Sequence, residues 1–216
     1  MFSVDRYAET YRDHTRRLAN QPEEAVGGHF EEFGRLMHEI LTGFGLQNTD
    51  YLIDVGCGSG RLAHVLPQER YLGTDVVPEL LATARELCPH PGWRFELVSD
   101  ILIPEEDGAA DVVCFWSVFT HLLHEDSYRY LIEARRVLRP RGKAVFSFLE
   151  FRAPNHWTVF EHAARTRAEN RLVPHTQFID RDGIRLWARH AGFTVLSFIR
   201  GETHPLGQSV CLLEAQ

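Results

Sequence analysis

The sequence has little of what would take it out of ordinary globular chemistry. Its four cysteines, Cys57, Cys88, Cys114 and Cys211, lie far apart with no Cys-x-x-Cys pair. That spacing suggests neither a small disulfide framework nor a cysteine zinc site, and it leaves four reduced, structural thiols. Long apolar runs are absent too: none approaches the roughly 20 residues needed to cross a bilayer. The opening Met1-Phe2-Ser3-Val4-Asp5-Arg6 has no apolar signal core. A soluble, cytoplasmic protein without a membrane partner is expected. Nor is there any excess of positive charge. A formal net charge of −7 over 216 residues argues against binding that depends on neutralising phosphates, so no nucleic-acid partner is expected. Repeats and low-complexity tracts are missing, and 44% hydrophobic with 25% charged residues is the balance of a soluble globular chain of one domain.

What is present is a change of period. Residues 1–50 read as helical: Tyr7 to Ala19 carries mixed charge, while Phe30, Phe33, Leu36, Met37, Ile40 and Leu41 recur at steps of three and four, closed by Gly43 and Gly45. From Tyr51 onward short apolar runs alternate with helices, the signature of βαβ units in a mainly parallel sheet. The strands are expected at Tyr51–Val55, Tyr71–Gly73, Phe95–Val98, Asp111–Trp116 and Ala144–Phe148. Helices are expected at Arg61–Leu66, Pro78–Leu87 and Ser127–Leu138, the last stopped by Arg139-Pro140-Arg141-Gly142. A segment at 151–177 then interrupts the pattern with a helix over Trp157–Asn170, before a helix at Asp180–His190 restores it. The two final apolar runs, Phe193–Ile199 and Ser209–Leu213, are joined by too short a link for a parallel crossover, so they form an antiparallel pair.

The strongest chemical signal is Asp54-Val-Gly56-Cys-Gly58-Ser-Gly60, between the first strand and the next helix. Glycines there let the backbone turn tightly and approach a ligand, and N–H groups at a following helix start can hold an anion. Asp75, at the end of the second strand, is placed to accept both hydroxyls of a ribose. The third glycine comes one residue earlier than in the G-x-G-x-x-G loop of dinucleotide folds, which argues against a pyrophosphate ligand.

This pattern resembles the first motif of class I S-adenosylmethionine-dependent methyltransferases of the small-molecule type, an acid followed by x-Gly-x-Gly-x-Gly. The resemblance covers about Tyr51 to Leu149 and the final strand pair. It implies a Rossmann-like, doubly wound α/β fold, with helices on both faces of a mainly parallel seven-stranded sheet whose last strand is antiparallel. It also implies S-adenosylmethionine as cofactor and S-adenosylhomocysteine as product. The loop residues Asp54, Gly56, Cys57, Gly58 and Gly60 then lie under the methionine part, Asp75 holds the ribose, and Val76 lies against the adenine. Asp100 meets the adenine amino group with Ile101 on the ring. Trp116, Ser117, Val118 and Phe119 line the methyl-transfer pocket. Leu138-Arg-Pro-Arg-Gly142 resembles the family's L-[KR]-P-G-G segment, with Arg141 in place of a frequent glycine.

The resemblance implies one methyltransferase domain, with an N-terminal helical cap (1–50), a cofactor-binding core (51–150), a substrate lid (151–177) and a last helix with the strand pair (178–216). Methyl transfer from a sulfonium is an in-line displacement in which alignment can supply much of the catalysis. A base is needed only for some acceptors. His121, five residues past the fourth strand, is the candidate base, with a substrate-shaping role as the alternative. His124, Glu125 and Asp126 near it lack a third ligand at a telling distance, so no metal is expected. The acceptor is expected to be a small molecule, since no Asn-Pro-Pro-Tyr segment follows the fourth strand. Arg152, Arg165, Arg167 and Arg171 against Glu161 and Glu169 give 151–177 a mildly basic character that suits an acidic acceptor. Alternative readings are a regulatory protein that binds S-adenosylmethionine without turnover, and an NAD-dependent oxidoreductase.

Overall fold

A computed structural model of the chain describes residues 29–168 and 175–216. The helix expected over Tyr7–Ala19 and the end of the helix expected over 157–170 lie outside the described residues. In chain order the elements are α1 (Phe30–Gly43), β1 (Tyr51–Val55), a short 3-10 turn (Ala63–Val65), β2 (Arg70–Asp75), α2 (Pro78–Leu87), β3 (Trp93–Leu97), β4 (Ala110–Phe115), α3 (His124–Val137), β5 (Leu138–Phe148), α4 (Pro154–Ala168), α5 (Arg181–His190), β6 (Phe193–Ile199) and β7 (Ser209–Ala215).

The strands form one seven-stranded sheet in the order β3-β2-β1-β4-β5-β7-β6. Pairing is parallel from β3 through β5, and β7 runs antiparallel to both β5 and β6. All five residues of β1 are buried, as expected of a central strand covered on both faces. Helices supply that cover. On one face α3 contributes Tyr130, Leu131, Ala134 and Val137, and α5 contributes Ile184 and Ala188, against Ile53, Val113, Phe115 and Phe146. On the other, Met37, Ile40 and Leu41 of α1 and Leu81 and Ala84 of α2 pack on Leu52, Tyr71, Cys114 and Val145. These contacts recur at helical spacing along each helix, the source of its amphipathic stripe. Strand order reverses between β1 and β4, and beyond the carboxyl ends of these two strands lies the crevice where open α/β sheets bind ligands.

Several element boundaries differ from expectation. The helix expected at Arg61–Leu66 is only the 3-10 turn, because Pro67 forces Leu66 into an extended conformation (ψ 135°) and ends the coil. The presumed stop at 139–142 is instead the start of β5. Its pairing with β4 steps from Ala110↔Leu138 to Val112↔Lys143, a bulge at Pro140, which has no N–H to give the ladder. Arg141 occupies that bulge at φ 65°, a left-handed position that explains why glycine suits it elsewhere. Lastly, α3 begins at His124 rather than Ser127.

Candidate functional site

The loop after β1 folds back on the end of β2. Gly56 and Cys57 both donate their N–H groups to the Thr74 carbonyl, at 2.7 and 2.9 Å. Gly56, Gly58 and Gly60 all have positive φ, at 74°, 57° and 87°. Space is as tight as torsion at Gly56: a β-carbon there would lie 2.5 Å from Cγ2 of Val118, in the loop after β4. The glycine spacing read from the sequence is therefore required by backbone geometry. With only a 3-10 turn following, the loop offers no helix start to an anion, which corrects that part of the expectation.

Asp75 joins the loop to the second strand. Gly58 N–H donates to its Oδ2 and Val77 N–H to its Oδ1, both at 2.9 Å. Burial raises its pKa, opposed by hydrogen bonds from the Val77, Gly58 and Val76 N–H groups. Each carboxylate oxygen keeps a second lone pair, so the group can still accept two hydroxyl donors. Val76 is half-buried beside it, packed on the core. Asp54 faces inward: the Tyr71 hydroxyl donates to its Oδ2 at 2.9 Å and the Cys114 thiol to its Oδ1 at 3.5 Å. Burial pushes Asp54 up to about 7 against those two hydrogen bonds, with the Asp75 charge adding to the rise. Asp100, after β3, is exposed, accepts its neighbour's N–H from Ile101 at 2.7 Å and faces Arg129 at 3.4 Å. The Ile101 side chain is buried in the core.

The structure divides the residues after β4. Trp116 and Phe119 are core side chains, on opposite faces of the sheet. Ser117 is not: it sits at φ 59°, its N–H donates to Ser147 Oγ at 2.7 Å, and Gln208 Nε2 donates to its hydroxyl at 3.0 Å. Ser117 thus holds a backbone conformation that non-glycine residues seldom adopt, fixed by Ser147 and Gln208. His121 follows on the same loop, with Nδ1 2.7 Å from the His175 carbonyl. A carbonyl only accepts, so Nδ1 carries a proton and donates it to that carbonyl, which fixes the orientation of the ring. Gln177 N–H donates to the Thr120 carbonyl at 2.7 Å and Ile179 N–H to the Leu149 carbonyl at 2.9 Å. These bonds bring residues 175–179 against the carboxyl ends of β4 and β5.

Sequence reasoning passed over Tyr71, Cys114, Ser147 and Gln208, which hold site residues, and Arg61, whose guanidinium is buried beside the loop. Register carries part of that signal: Asp54 pairs with Gly73 on one side and Cys114 on the other, putting the three on one face. Gly73 is small because a β-carbon there would lie 2.8 Å from Cys57 Sγ. Among the described residues, no group of three or more His, Cys, Asp or Glu could hold a metal ion.

The strand order, the left-handed glycine loop and the acid that ends β2 define a Rossmann-like α/β protein of the kind that binds a nucleoside at the β1/β4 crevice. Residues 53–146 match the family described as a methyltransferase domain. The chain is 26% identical over 163 residues to trans-aconitate 2-methyltransferase of Escherichia coli O157:H7, covering 74% of this chain and 59% of that one. It is 35% identical over 100 residues to ribosomal protein L11 methyltransferase of Geobacter metallireducens, covering 44% and 31%. Against these two curated relatives the chain thus spans about a third to three fifths of their length. Its fold superposes with a TM-score of 0.69 on magnesium protoporphyrin IX methyltransferase of Synechocystis PCC 6803 with bound S-adenosylhomocysteine, at 16% identity over 98% of this chain and 97% of that one.

Proposed function

We propose that this protein binds S-adenosylmethionine and transfers its methyl group to a small-molecule acceptor. The observation that carries this reading is the glycine loop at positive φ, tied through Gly58 N–H to the buried Asp75 carboxylate. That arrangement offers a close-approach surface and a ribose acceptor a few ångströms apart. The residues fit the cofactor: the Asp75 lone pairs suit the ribose hydroxyls, Val76 an adenine face, and the exposed Asp100 carboxylate an amino group at the pocket rim. The cofactor supplies a methyl group already activated on a positively charged sulfur.

The chain's own contribution is alignment and enclosure. Ser117 and His121 stand on the loop beyond β4, on the acceptor side of the crevice. Residues 175–179, held by Gln177 N–H on the Thr120 carbonyl and Ile179 N–H on the Leu149 carbonyl, narrow the crevice on that side, and a narrow site suits a small acceptor better than a macromolecular one. His121, whose ring is oriented by Nδ1–H donating to the His175 carbonyl, is the candidate base for an acceptor hydroxyl.

Calorimetric titration with S-adenosylmethionine, S-adenosylhomocysteine and NAD in parallel tests the reading. Saturable binding of the two sulfur nucleosides and none of NAD is expected, and NAD binding alone would overturn it. Asp75→Ala should weaken S-adenosylhomocysteine binding by about 10- to 100-fold, the loss of hydrogen bonds to a charged group, while leaving the protein folded.

A further inference from the structure

The end of the sheet away from the crevice has a cavity of its own. Where β1, β2 and β3 begin, a space of about 410 Å³ is lined by Tyr51, Arg70, Arg94 and Glu105 together with Tyr71, Pro91 and Gly92. A space of that size takes a small molecule. Register gathers its charged groups: Tyr51 pairs with Arg70 and Leu72 with Arg94. Side chains alternate along a strand, so Tyr51, Arg70 and Arg94 share one face of the sheet.

The charges in this lining do not balance. Glu105 accepts the Tyr51 hydroxyl and Arg94 Nη2, and its other oxygen accepts the Glu106 N–H at 3.0 Å. Arg94 donates in addition to the Tyr51 hydroxyl at 2.8 Å. One carboxylate is thereby committed to one guanidinium. Burial, together with the hydrogen bond to Glu105, pushes Tyr51 up to about 12, so the phenol stays neutral and adds no negative charge. Arg70 is the cation left over. Its guanidinium carbon lies 4.2 Å from the centre of the Tyr51 ring, a stacking that holds the group flat, and no carboxylate pairs with it among the described residues. The cavity therefore carries an excess positive charge in a chain whose formal net charge is −7.

The remaining walls are apolar. Tyr71 spends its hydroxyl on Asp54 Oδ2 at 2.9 Å, so it offers the cavity its ring, and Pro91 offers a second apolar surface. A guanidinium is a planar set of donors that matches the two oxygens of one carboxylate and also stacks on flat groups. We propose that this cavity is a second ligand site, separate from the crevice, that takes a small aromatic carboxylate, with the carboxylate on Arg70 and the ring against Tyr71 and Pro91. The assignment goes beyond the methyl-transfer reading and does not depend on it.

The test is calorimetric titration with benzoate, alongside benzyl alcohol, which has the ring without the charge, acetate, which has the charge without the ring, and inorganic phosphate. Amide chemical shifts are followed in parallel. Benzoate should bind saturably, with each of the other three at least about tenfold weaker, and the largest shifts should fall at residues 51, 70–71 and 91–94. Arg70→Met should weaken benzoate binding by about 10- to 100-fold with an unchanged far-ultraviolet circular dichroism spectrum, and Arg70→Lys, which keeps the charge but not the planar donors, should fall between. Saturating S-adenosylhomocysteine should leave benzoate affinity within about twofold, because the two sites lie at opposite ends of the strands. Absence of saturable benzoate binding, equal binding by Arg70→Met, shifts centred on Ser117 and His121, or acetate or phosphate binding as tightly as benzoate would each overturn the proposal. Failure of S-adenosylhomocysteine to bind would defeat the cofactor reading alone and leave the benzoate titration as the test of this site.

Discussion

At Asp54 a carboxyl group is buried where it can be neither fully charged nor indifferent to charge. Its ordinary value of 3.8 is raised to about 7, so between those values the folded protein holds a proton that the unfolded chain has released. The stability that this proton contributes is complete below about pH 4 and is lost as pH rises through 7. Wild type should therefore lose stability relative to Asp54→Asn between pH 5 and 7, by up to about 1.4 kcal/mol per pH unit. Melting curves of the pair across that range measure it; a constant gap would show that Asp54 does not titrate there. At this scale the sequence was most legible where the backbone made demands. Glycines at left-handed positions and the acid closing a strand have no close substitutes, so they stand out singly. Tyr71 and Cys114 did not, because their meaning comes from a partner that β-sheet register supplies from 17 to 60 residues away.

Between elements, Glu150 forms a buried polar junction. It lies just past β5, receives both prongs of Arg181 at the start of α5, and accepts the Ser209 hydroxyl at the start of β7 at 2.6 Å. Although burial alone would raise its pKa, the hydrogen bonds from Arg181 and Ser209 outweigh that and hold it below the usual value. Glu150→Gln leaves the Arg181 charge without its partner and should cost about 3 kcal/mol at neutral pH, as when one member of a buried pair is removed. Because the folded pKa is depressed, this contribution is present above about 4.5 and is lost as pH falls, so urea titrations should show the gap closing toward acid. A gap that stays constant would mean that the pair contributes through packing alone. Elements were legible where apolar runs are short and bounded, as for α2 and β6, whose limits match expectation residue for residue. They were illegible where proline has two meanings. Pro67 cut short a helix that the pattern favoured, and Pro140 sits inside a strand that its presence argued against.

Taken whole, the molecule has two apolar layers that share a single sheet. Ile53 and Val113 point into one layer while Leu52 and Cys114, their neighbours on the same strands, point into the other. Neither layer can come apart without stripping the strands that hold the second. Urea unfolding followed by near-ultraviolet and far-ultraviolet circular dichroism should therefore give coincident transitions; separated midpoints would show that the two layers unfold independently. The overall architecture was legible because alternating strands and helices with a short last link leave few arrangements of the chain.

The position of β7 also governs the order in which the molecule can be finished. Among the described strands it alone lies between β5 and β6, so until residues 209–215 have been made, β5 presents an unpaired edge and β6 has no sheet to join. Unpaired edges are where chains add to one another. A nascent molecule arrested just short of β7 thus holds its glycine loop and Asp75 while its sheet edge is still open to neighbours.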